Sequence, residues 1–246
     1  GKDRLLRSMS KASNGMRKIG IEIRKKLFAS VTSAFGGKLE MIICGGAALN
    51  QDIIDTFEGI GIVILNGYGI TECAPLISCN RNEYRKKGSV GVPIIGEQVK
   101  IADPDENGEG EICVKGPNVM IGYYNNPEAT AAAFDEEGFF KTGDYGKLDE
   151  EGWIYITGRL KNLIILSNGK NVYPEEIEDA IITHTLFDEA VVVQRGEKLV
   201  ALVYAAPATM EQNGLTIETL QQNINDYKRA INAKLPNFAN ISSIEI

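Results

Sequence analysis

The stretch LEMIICGGAALNQDIIDTFEGIGIVILNGYGITE, residues 39–72, determines the fold class of the chain. Two short apolar runs, Leu39–Cys44 and Ile60–Leu65, have the length and composition of buried strands. Between them, Asn50 suits a helix N-cap, and a helix follows to about Glu58. A strand, a helix and a second strand in this order predict a parallel pair in an α/β sheet whose strand ends point at a site.

The sequence pattern changes twice after this stretch. From about Gly88 to Ile156, short alternating runs are separated by Gly, Asp, Asn and Pro turns, which is typical of an antiparallel, barrel-like unit. From Gly158 onward the pattern favours an α+β unit, in which Pro174 and the acidic residues behind it suit a helix N-terminus. The elements predicted there are a strand over 163–166, a helix over 174–183, strands over 190–194 and 199–204, a helix over 217–235 and a strand from residue 241.

Composition and charge exclude several classes of protein. The chain has 246 residues, is 43% hydrophobic and carries a net charge of −7, which argues against a nucleic-acid binder that works through overall charge. Its apolar runs fall short of the roughly 20 residues that span a membrane. His184 is the only histidine, which excludes a His-rich zinc site and any acid–base pair of two imidazoles. The cysteines form no C-x-x-C pair, so we expect structural thiols in a cytoplasmic protein; they are Cys44, Cys73, Cys79 and Cys113.

Basic residues are concentrated at the start of the chain. Residues 1–38 hold ten lysines and arginines against two acidic residues. Ile19, Ile23, Leu27 and Val31 recur every fourth residue, which predicts one stripe of a helix. A basic amphipathic helix can lie on the anionic inner face of a membrane, so peripheral membrane contact is one interpretation. The alternative is that the apolar stripe packs on the rest of its domain.

The segment from Asn66 to Glu72 carries the groups best suited to a nucleotide site. Gly67 and Gly69 let the backbone approach a ligand closely, and the strand end places them where nucleotides bind in α/β sheets. Tyr68 offers a flat ring, Thr71 a hydroxyl, and Glu72 a carboxylate able to hold Mg²⁺ together with a phosphate. An ordinary glycine-rich turn is the alternative interpretation.

Three further segments extend this candidate site. Gly45–Leu49 is a second turn of small residues after the preceding strand. Asp144, after Gly143, is predicted at a strand end, where it can accept hydrogen bonds from ribose hydroxyls. Arg159 can reach a ribose or a phosphate, and Lys161 lies on the connection to the last domain.

Together these segments resemble the adenylate-forming family of acyl-CoA synthetases, nonribosomal adenylation domains and luciferases. The likeness runs from about Lys38 to the end of the chain, and four motifs follow one another in the family's order. They are GGAAL (45–49), NGYGITE (66–72), TGD (142–144) and GRLKNLIILSNGKNVYPEEIE (158–178). Two stretches, SNGKNVYPEEIE (167–178) and VMIGYYNNPEAT (119–130), most resemble long-chain fatty acid–CoA ligases.

The resemblance implies a fold in two domains. Residues 1–158 would be the C-terminal part of the large AMP-binding domain, with a βαβ remnant over 1–87 and a barrel-like subdomain over 88–158. Residues 159–246 would be the small, mobile C-terminal α+β domain. We therefore expect an α/β part followed by an α+β part.

The resemblance also assigns roles to individual residues. Glu72 would bind Mg²⁺, Thr71 the α-phosphate, and Lys161 would be the hinge about which the small domain rotates. Asp144 and Arg159 would hold the ribose. The remaining nucleotide contacts would come from Gly46, Ala47, Ala48, Asn66, Gly67, Tyr68, which would stack on adenine, and Gly69. The turn that would meet the thiol of coenzyme A is Asn168, Gly169 and Lys170.

The chain departs from the family pattern in two places. It contains neither the Ser/Thr/Gly-rich phosphate loop ending in Pro-Lys nor the catalytic lysine that the family places near its C-terminus. We therefore expect an inactive, self-associating fragment of a ligase whose substrates are a fatty acid, ATP and coenzyme A. Two alternatives stay open: adenylation of an aryl or amino acid, and a non-catalytic nucleotide-binding module.

Overall fold

The computed structural model describes residues 24–246 except positions 48, 168, 184 and 185. The chain divides into two compact units. The first unit holds the described residues up to Ala102, together with Cys113–Thr142 and Leu148–Tyr155. The second holds Asp103–Ile112, Gly143–Lys147 and Ile156–Ile246. The predicted boundary between residues 158 and 159 stays a prediction.

The first unit is built around a four-stranded sheet. Its elements are helices α1 (Arg24–Leu27) and α2 (Ala29–Thr32), strand β1 (Met41–Cys44), helix α3 (Gln51–Ile60), strands β2 (Val63–Gly69), β3 (Leu76–Cys79) and β4 (Val92–Pro93), and helix α4 (Pro127–Ala133). The strands lie in the order β1-β2-β3-β4; β1 and β2 are parallel, whereas β3 is antiparallel to β2 and to β4. The predicted β–α–β order with a parallel strand pair is confirmed.

Local sequence fixes both ends of α3. The side chain of Asn50 accepts a hydrogen bond from the N–H of Asp52 at 2.7 Å, so Asn50 is the N-cap that the sequence predicts. The helix ends at Gly61, whose φ of 96° is in the left-handed region that glycine adopts without a steric cost. Ile62 and Ile64 follow and are buried, which anchors β2 beside β1.

The middle of the chain is strand-rich, as the alternating runs predict. Strands β5 (Gln98–Ala102), β6 (Gly110–Lys115), β7 (Phe140–Leu148) and β8 (Ile154–Arg159) form one sheet in that order. Ile112 and Ile154 are fully buried. Among the described residues, these four strands make an open sheet rather than a closed barrel.

The second unit ends in an α+β arrangement, as expected. Its elements after a 3-10 turn (Leu160–Asn162) are the hairpin of β9 (Ile164–Ile165) and β10 (Asn171–Val172), α5 (Pro174–Ile182), β11 (Glu189–Arg195), β12 (Lys198–Tyr204), α6 (Pro207–Asn213), α7 (Ile217–Asn232) and β13 (Ile241–Glu245). Strand β12 lies between β11, which is antiparallel to it, and β13, which is parallel. The core of this part includes Ile181, Ala201, Leu220 and Ile231, all fully buried.

Several predicted element bounds are wrong. Ile60, predicted to begin the second strand, is the last residue of α3, and β2 begins at Val63. Strand β2 continues through Gly69 instead of stopping at Leu65, because β3 pairs with its second half. Strand β7 continues to Leu148, so Asp144 lies within the strand instead of at its end. Helix α7 ends at Asn232, because Pro236 disfavours helical backbone at the residue before it and the last turn closes with shorter i to i−3 bonds.

The structure describes only the last part of the basic segment. Ile19 and Ile23 lie outside the described residues, whereas Leu27 and Val31 lie in α1 and α2 and are half-buried. Arg24 is buried and donates from Nη1 to the carbonyl oxygen of Glu58 in α3 at 2.6 Å. Over the described residues, no helix combines the length and the apolar character needed to cross a membrane.

Candidate functional site

Strand β2 brings the glycine-rich segment into the sheet itself. Gly67 pairs with Cys79 and Tyr68 with Ser78, and the register shifts between Tyr68 and Gly69. A Cβ atom on Gly69 would lie 2.1 Å from the carbonyl oxygen of Pro75. The glycine at position 69 is therefore required by close approach of two backbone segments and not by a special turn angle.

An apolar pocket of about 580 Å³ opens in the first unit beside this segment. Its walls include residues from the ends of β1 and β2 and from the start of β3: Ile43, Gly45, Gly46, Leu65, Gly67, Tyr68, Gly69 and Leu76. The Tyr68 side chain contributes to the wall but is only 6% exposed. Of the predicted nucleotide contacts, four thus line one pocket: Gly46, Gly67, Tyr68 and Gly69. The adenine-stacking role of Tyr68 stays a prediction.

Asn66 and Ala47 are not among the residues that line this pocket. Asn66 lines a second pocket of the first unit, about 260 Å³ in volume, together with Asn80 and Arg85. Ala47 is exposed, and Ala48 lies outside the described residues.

Thr71 and Glu72 lie in a single 3-10 turn, Thr71–Cys73, that follows β2. Thr71 is exposed and Glu72 is half-buried. The phenol of Tyr123 donates a hydrogen bond to Oε1 of Glu72 at 3.0 Å, and the backbone N–H of Met120 donates to the Glu72 carbonyl oxygen at 2.7 Å. Burial and the acceptor Glu72 both raise the pKa of Tyr123, so the phenol stays protonated and acts as donor.

The single carboxylate at this turn, Glu72, fits Mg²⁺ only if phosphate oxygens supply further ligands to the ion. In the described part of the chain, no group of three or more acidic, histidine or cysteine side chains is placed to hold a metal ion. Mg²⁺ in nucleotide enzymes is often held by one or two carboxylates and by substrate phosphate oxygens. Glu72 meets that requirement with one carboxylate.

The cysteine in this turn is not available for chemistry. Cys73 is fully buried, and burial together with Glu97 and Glu72 raises the pKa of its thiol to about 12. Cys113 is also buried, Cys44 and Cys79 are half-buried, and all four are free thiols. The fraction of Cys73 in the nucleophilic thiolate form is therefore negligible near neutral pH.

The predicted ribose contacts, Asp144 and Arg159, meet in the second unit. Nε of Arg159 lies 3.3 Å from Oδ1 of Asp144. Asp144 is 5% exposed as a residue, whereas the Arg159 side chain is 54% exposed. Gly143 has a φ of 71° and donates its N–H to the Glu111 carboxylate at 3.1 Å. This turn-like backbone inside β7 aligns the buried carboxylate with the arginine at the end of β8.

The predicted hinge residue lies in the 3-10 turn after β8. Lys161 is exposed, and its neighbour Asn162 donates to the Glu175 carboxylate at 2.5 Å. A Cβ on Gly158 would lie 3.0 Å from the Tyr173 ring, so a side chain at position 158 would crowd that ring.

The predicted thiol-substrate turn forms the end of the β9–β10 hairpin. The N–H of Gly169 donates to the Leu166 carbonyl oxygen at 2.8 Å, and Gly169 has a φ of 75°. Nζ of Lys170 lies 5.0 Å from the centre of the Phe238 ring. Asn168 lies outside the described residues.

A pocket of about 660 Å³, which sequence patterns do not predict, adjoins this hairpin within the second unit. Its walls include Gly169, Lys170, Glu109 and Glu176. Burial is the main cause that raises the pKa of Glu176, and the negative charge of Glu109 raises it further. The pocket thus combines one lysine with partly desolvated carboxylates.

Comparison with known proteins identifies the family. The model of the AMP-binding enzyme matches residues 5–124, and the model of the AMP-binding enzyme C-terminal domain matches residues 161–246. The chain belongs to the AMP-binding, adenylate-forming enzyme family, as its motifs predict.

Individual relatives refine this assignment. A long-chain-fatty-acid–CoA ligase of Mycobacterium bovis is 37% identical over 186 residues, which are 75% of this chain and 30% of that protein. A long-chain-fatty-acid–CoA ligase of Salmonella typhimurium is 44% identical over 139 residues, or 54% of this chain and 24% of that protein. The structure of O-succinylbenzoate coenzyme A synthetase from Bacillus subtilis, in complex with ATP and magnesium ion, is 30% identical with a TM-score of 0.68. The alignment covers 83% of this chain and 42% of the synthetase.

The chain spans about a third or less of the length of the curated ligases that it matches. The mixed α/β and α+β fold class is confirmed by the solved neighbours. The role of each site residue stays a prediction.

Proposed function

We propose that this chain belongs to an ATP-dependent long-chain fatty acid–CoA ligase. In the first half-reaction, a carboxylate oxygen of the fatty acid attacks the α-phosphorus of ATP, and pyrophosphate leaves. The product is a fatty acyl adenylate. In the second, the sulfur of coenzyme A attacks the acyl carbonyl carbon, its proton passes to solvent, and AMP leaves with the electron pair of the broken C–O bond.

The observation that carries the proposal is the turn at the end of β2. It presents an exposed hydroxyl on Thr71 and a half-buried carboxylate on Glu72 next to an apolar pocket lined by Gly67, Tyr68 and Gly69. A reaction between an apolar carboxylic acid and a nucleotide phosphate needs both kinds of surface together. The identity to fatty acid ligases over three quarters of the chain supports the same function.

The likeness to the adenylate-forming family supplies the proposed nucleotide contacts of each unit. In the first unit, Tyr68 would contact adenine, and Thr71 would donate its hydroxyl to the α-phosphate. The backbone and side chains around them would line the rest of the site, namely Gly46, Ala47, Ala48, Asn66, Gly67 and Gly69. In the second unit, Asp144 would accept from the ribose hydroxyls, and Arg159 would donate to the ribose oxygens.

Glu72 would hold Mg²⁺ on the phosphates of ATP. When bound, the ion would neutralise phosphate charge and so assist departure of pyrophosphate. The protein's own contribution would be the Glu72 carboxylate, which would bind the ion, and the Thr71 hydroxyl, which would donate to the α-phosphate. Such preorganised groups stabilise developing charge without having to reorganise during the reaction.

The second half-reaction would use residues of the second unit. Lys161 lies in a short connecting turn, and hinges of this kind absorb a domain rotation in a few backbone angles. Gly169 and Lys170, with Asn168, would meet coenzyme A after that rotation. Gly169 has the positive φ that lets the hairpin turn tightly and expose its backbone.

Two substrate classes compete for the acyl site. A long-chain fatty acid is favoured by the ligase relatives, whereas the synthetase with a similar structure is named for an aryl acid, O-succinylbenzoate. The names of the curated relatives favour the fatty acid, and an aryl or amino acid remains the alternative that the assay below distinguishes.

Fatty-acid-dependent exchange of pyrophosphate into ATP tests the proposal. The full-length protein is assayed with palmitate, O-succinylbenzoate and an amino acid mixture at equal concentrations. We expect exchange with palmitate at least about tenfold above that with the other acids. If exchange occurs only with O-succinylbenzoate, the substrate is an aryl acid and not a fatty acid. If exchange occurs with none of the acids, the protein does not form an adenylate.

We further propose that the protein is cytoplasmic. Its first unit would associate with a second copy of itself or with a membrane surface. Strand β1 is an edge of its sheet in the described part of the chain, and Met41 and Ile43 are 37% and 75% exposed. Unpaired edges with apolar side chains favour association. Light scattering of the 246-residue chain should show oligomers that Ile43→Glu reduces, and sedimentation with anionic vesicles tests the membrane alternative.

A further inference from the structure

We propose that Tyr123 is a positioning residue that orients the Glu72 carboxylate for the Mg²⁺–ATP complex. This inference rests on the proposed function, because it concerns how the chain prepares the same site. Tyr123 belongs to the VMIGYYNNPEAT stretch, to which sequence motifs assign no role.

The contacts between the two segments are several and independent. The phenol of Tyr123 donates to Oε1 of Glu72 at 3.0 Å. The N–H of Met120 donates to the Glu72 carbonyl oxygen at 2.7 Å, and Nδ2 of Asn118 donates to the Leu76 carbonyl oxygen at 2.7 Å. The loop from Asn118 to Tyr123 therefore holds both the backbone and the side chain of Glu72.

The loop itself is fixed by its sequence. Gly122 has a φ of 152°, and a Cβ there would lie 2.7 Å from the side chain of Thr130. The same threonine accepts from the N–H of Tyr123 at 2.9 Å, and Asn126 caps helix α4 by accepting from the N–H of Ala129. Tyr123 thus projects from a backbone that is tied to the first turn of a helix.

The chemistry of the carboxylate explains what this orientation would do. A carboxylate with one oxygen hydrogen-bonded to a phenol keeps a defined rotamer and leaves its other oxygen to a cation. Hydrogen bonds behind a metal ligand fix its orientation, and their loss typically lowers metal affinity about 10- to 100-fold. Tyr123 is 40% exposed, so water can partly replace it, and we expect a reduction near the lower end of that range.

The test compares four variants of the full-length protein by calorimetric titration of ATP at a series of Mg²⁺ concentrations. Tyr123→Phe removes only the hydroxyl, and we expect it to raise the Mg²⁺ concentration for half-maximal ATP binding about tenfold. Tyr124→Phe is the matched control, because Tyr124 is the adjacent tyrosine and is 93% exposed; it should change this concentration less than twofold. In a Glu72→Gln background, Tyr123→Phe should add no further change.

The outcomes separate this inference from the proposed function. If wild-type protein binds ATP in a magnesium-dependent way and Tyr123→Phe behaves like wild type, the positioning role is wrong and the proposed function stands. Tyr123→Phe could also weaken ATP binding by the same factor in the wild-type and in the Glu72→Gln background. The tyrosine would then act on something other than the Glu72 carboxylate, and the inference would again be wrong. If wild-type protein binds no ATP at any Mg²⁺ concentration, both the proposed function and this inference are wrong.

Discussion

Replacing Arg159 with alanine separates its proposed ribose contact from its structural ion pair with Asp144. The ion pair is 3.3 Å long and joins a carboxylate that is almost fully buried to a guanidinium that is half exposed. Hydrogen bonds to charged groups contribute about 1.5–3 kcal/mol. Because solvent screens the exposed guanidinium, we take about 1.5 kcal/mol for its contact with the ribose. This value corresponds to about a tenfold increase in the Kd for ATP.

The same substitution also affects stability. Asp144 would lose a charged partner while staying buried, which should lower the free energy of unfolding by about 1 kcal/mol. Arg195→Ala is the matched control, because Arg195 pairs with Glu245 at 2.8 Å and its side chain is 55% exposed. Because the Glu245 side chain is 45% exposed, water can replace its partner, and Arg195→Ala should lose less stability than Arg159→Ala in thermal unfolding.

Calorimetry with ATP then distinguishes the two residues. Arg159→Ala should bind ATP about tenfold more weakly than wild type, whereas Arg195→Ala should bind it with unchanged affinity. Equal ATP affinity for all three proteins would refute the ribose role of Arg159. A matching loss of affinity in both variants would show that the effect comes from lost stability.

Three further predictions concern individual residues. Gly69→Ala should lower the free energy of unfolding by about 2–3 kcal/mol in chemical denaturation, because its Cβ would overlap the Pro75 carbonyl; an unchanged midpoint would contradict the close approach. Burial raises the pKa of Asp149, but Lys86 and backbone N–H donors outweigh it and hold that pKa at about 2. The ionised Asp149 carboxylate therefore contributes its full stabilisation above about pH 4, and this is lost as the pH falls through 2. Asp149→Asn should make the free energy of unfolding less dependent on pH in that range. An unchanged pH dependence would argue against the pairing with Lys86. Cys73 should resist thiol reagents at pH 8 in folded protein and react only in denaturant; rapid labelling, located by peptide mass, would show that the thiol is accessible.

Sequence patterns predict best where a structure is set by neighbouring residues. Asn50 caps its helix as expected, and Pro174 is the first residue of α5. The alternation of short runs also predicts the strands of the middle region. In each case the deciding contacts lie within a few residues of one another.

The same patterns fail where distant segments pair. Gly67 favours a turn locally, yet it lies inside a strand, because β3 pairs with that half of β2. Gly143 keeps a positive φ of 71° although it lies within β7. The short β3 itself is missed for the same reason. Local propensity is weaker than the pairing of strands that only the folded chain brings together.

The candidate site also contains one contact that the sequence predicts and one that only the fold brings about. Motif spacing selects Asp144 and Arg159, and the structure joins them in an ion pair. The contact between Tyr123 and Glu72 spans 51 positions and has no sequence signature apart from Gly122, which its loop requires. Such a contact depends on the fold and cannot be found from residue types alone.

Transfer of labelled oxygen tests the central claim most directly. The full-length protein is incubated with ATP, Mg²⁺, coenzyme A and palmitate carrying ¹⁸O in its carboxylate, and the products are analysed by mass spectrometry. If a fatty acyl adenylate is formed, one ¹⁸O atom appears in AMP and the other stays in palmitoyl-CoA. Unlabelled AMP, or formation of ADP instead of AMP, would contradict adenylation as the chemistry of this protein.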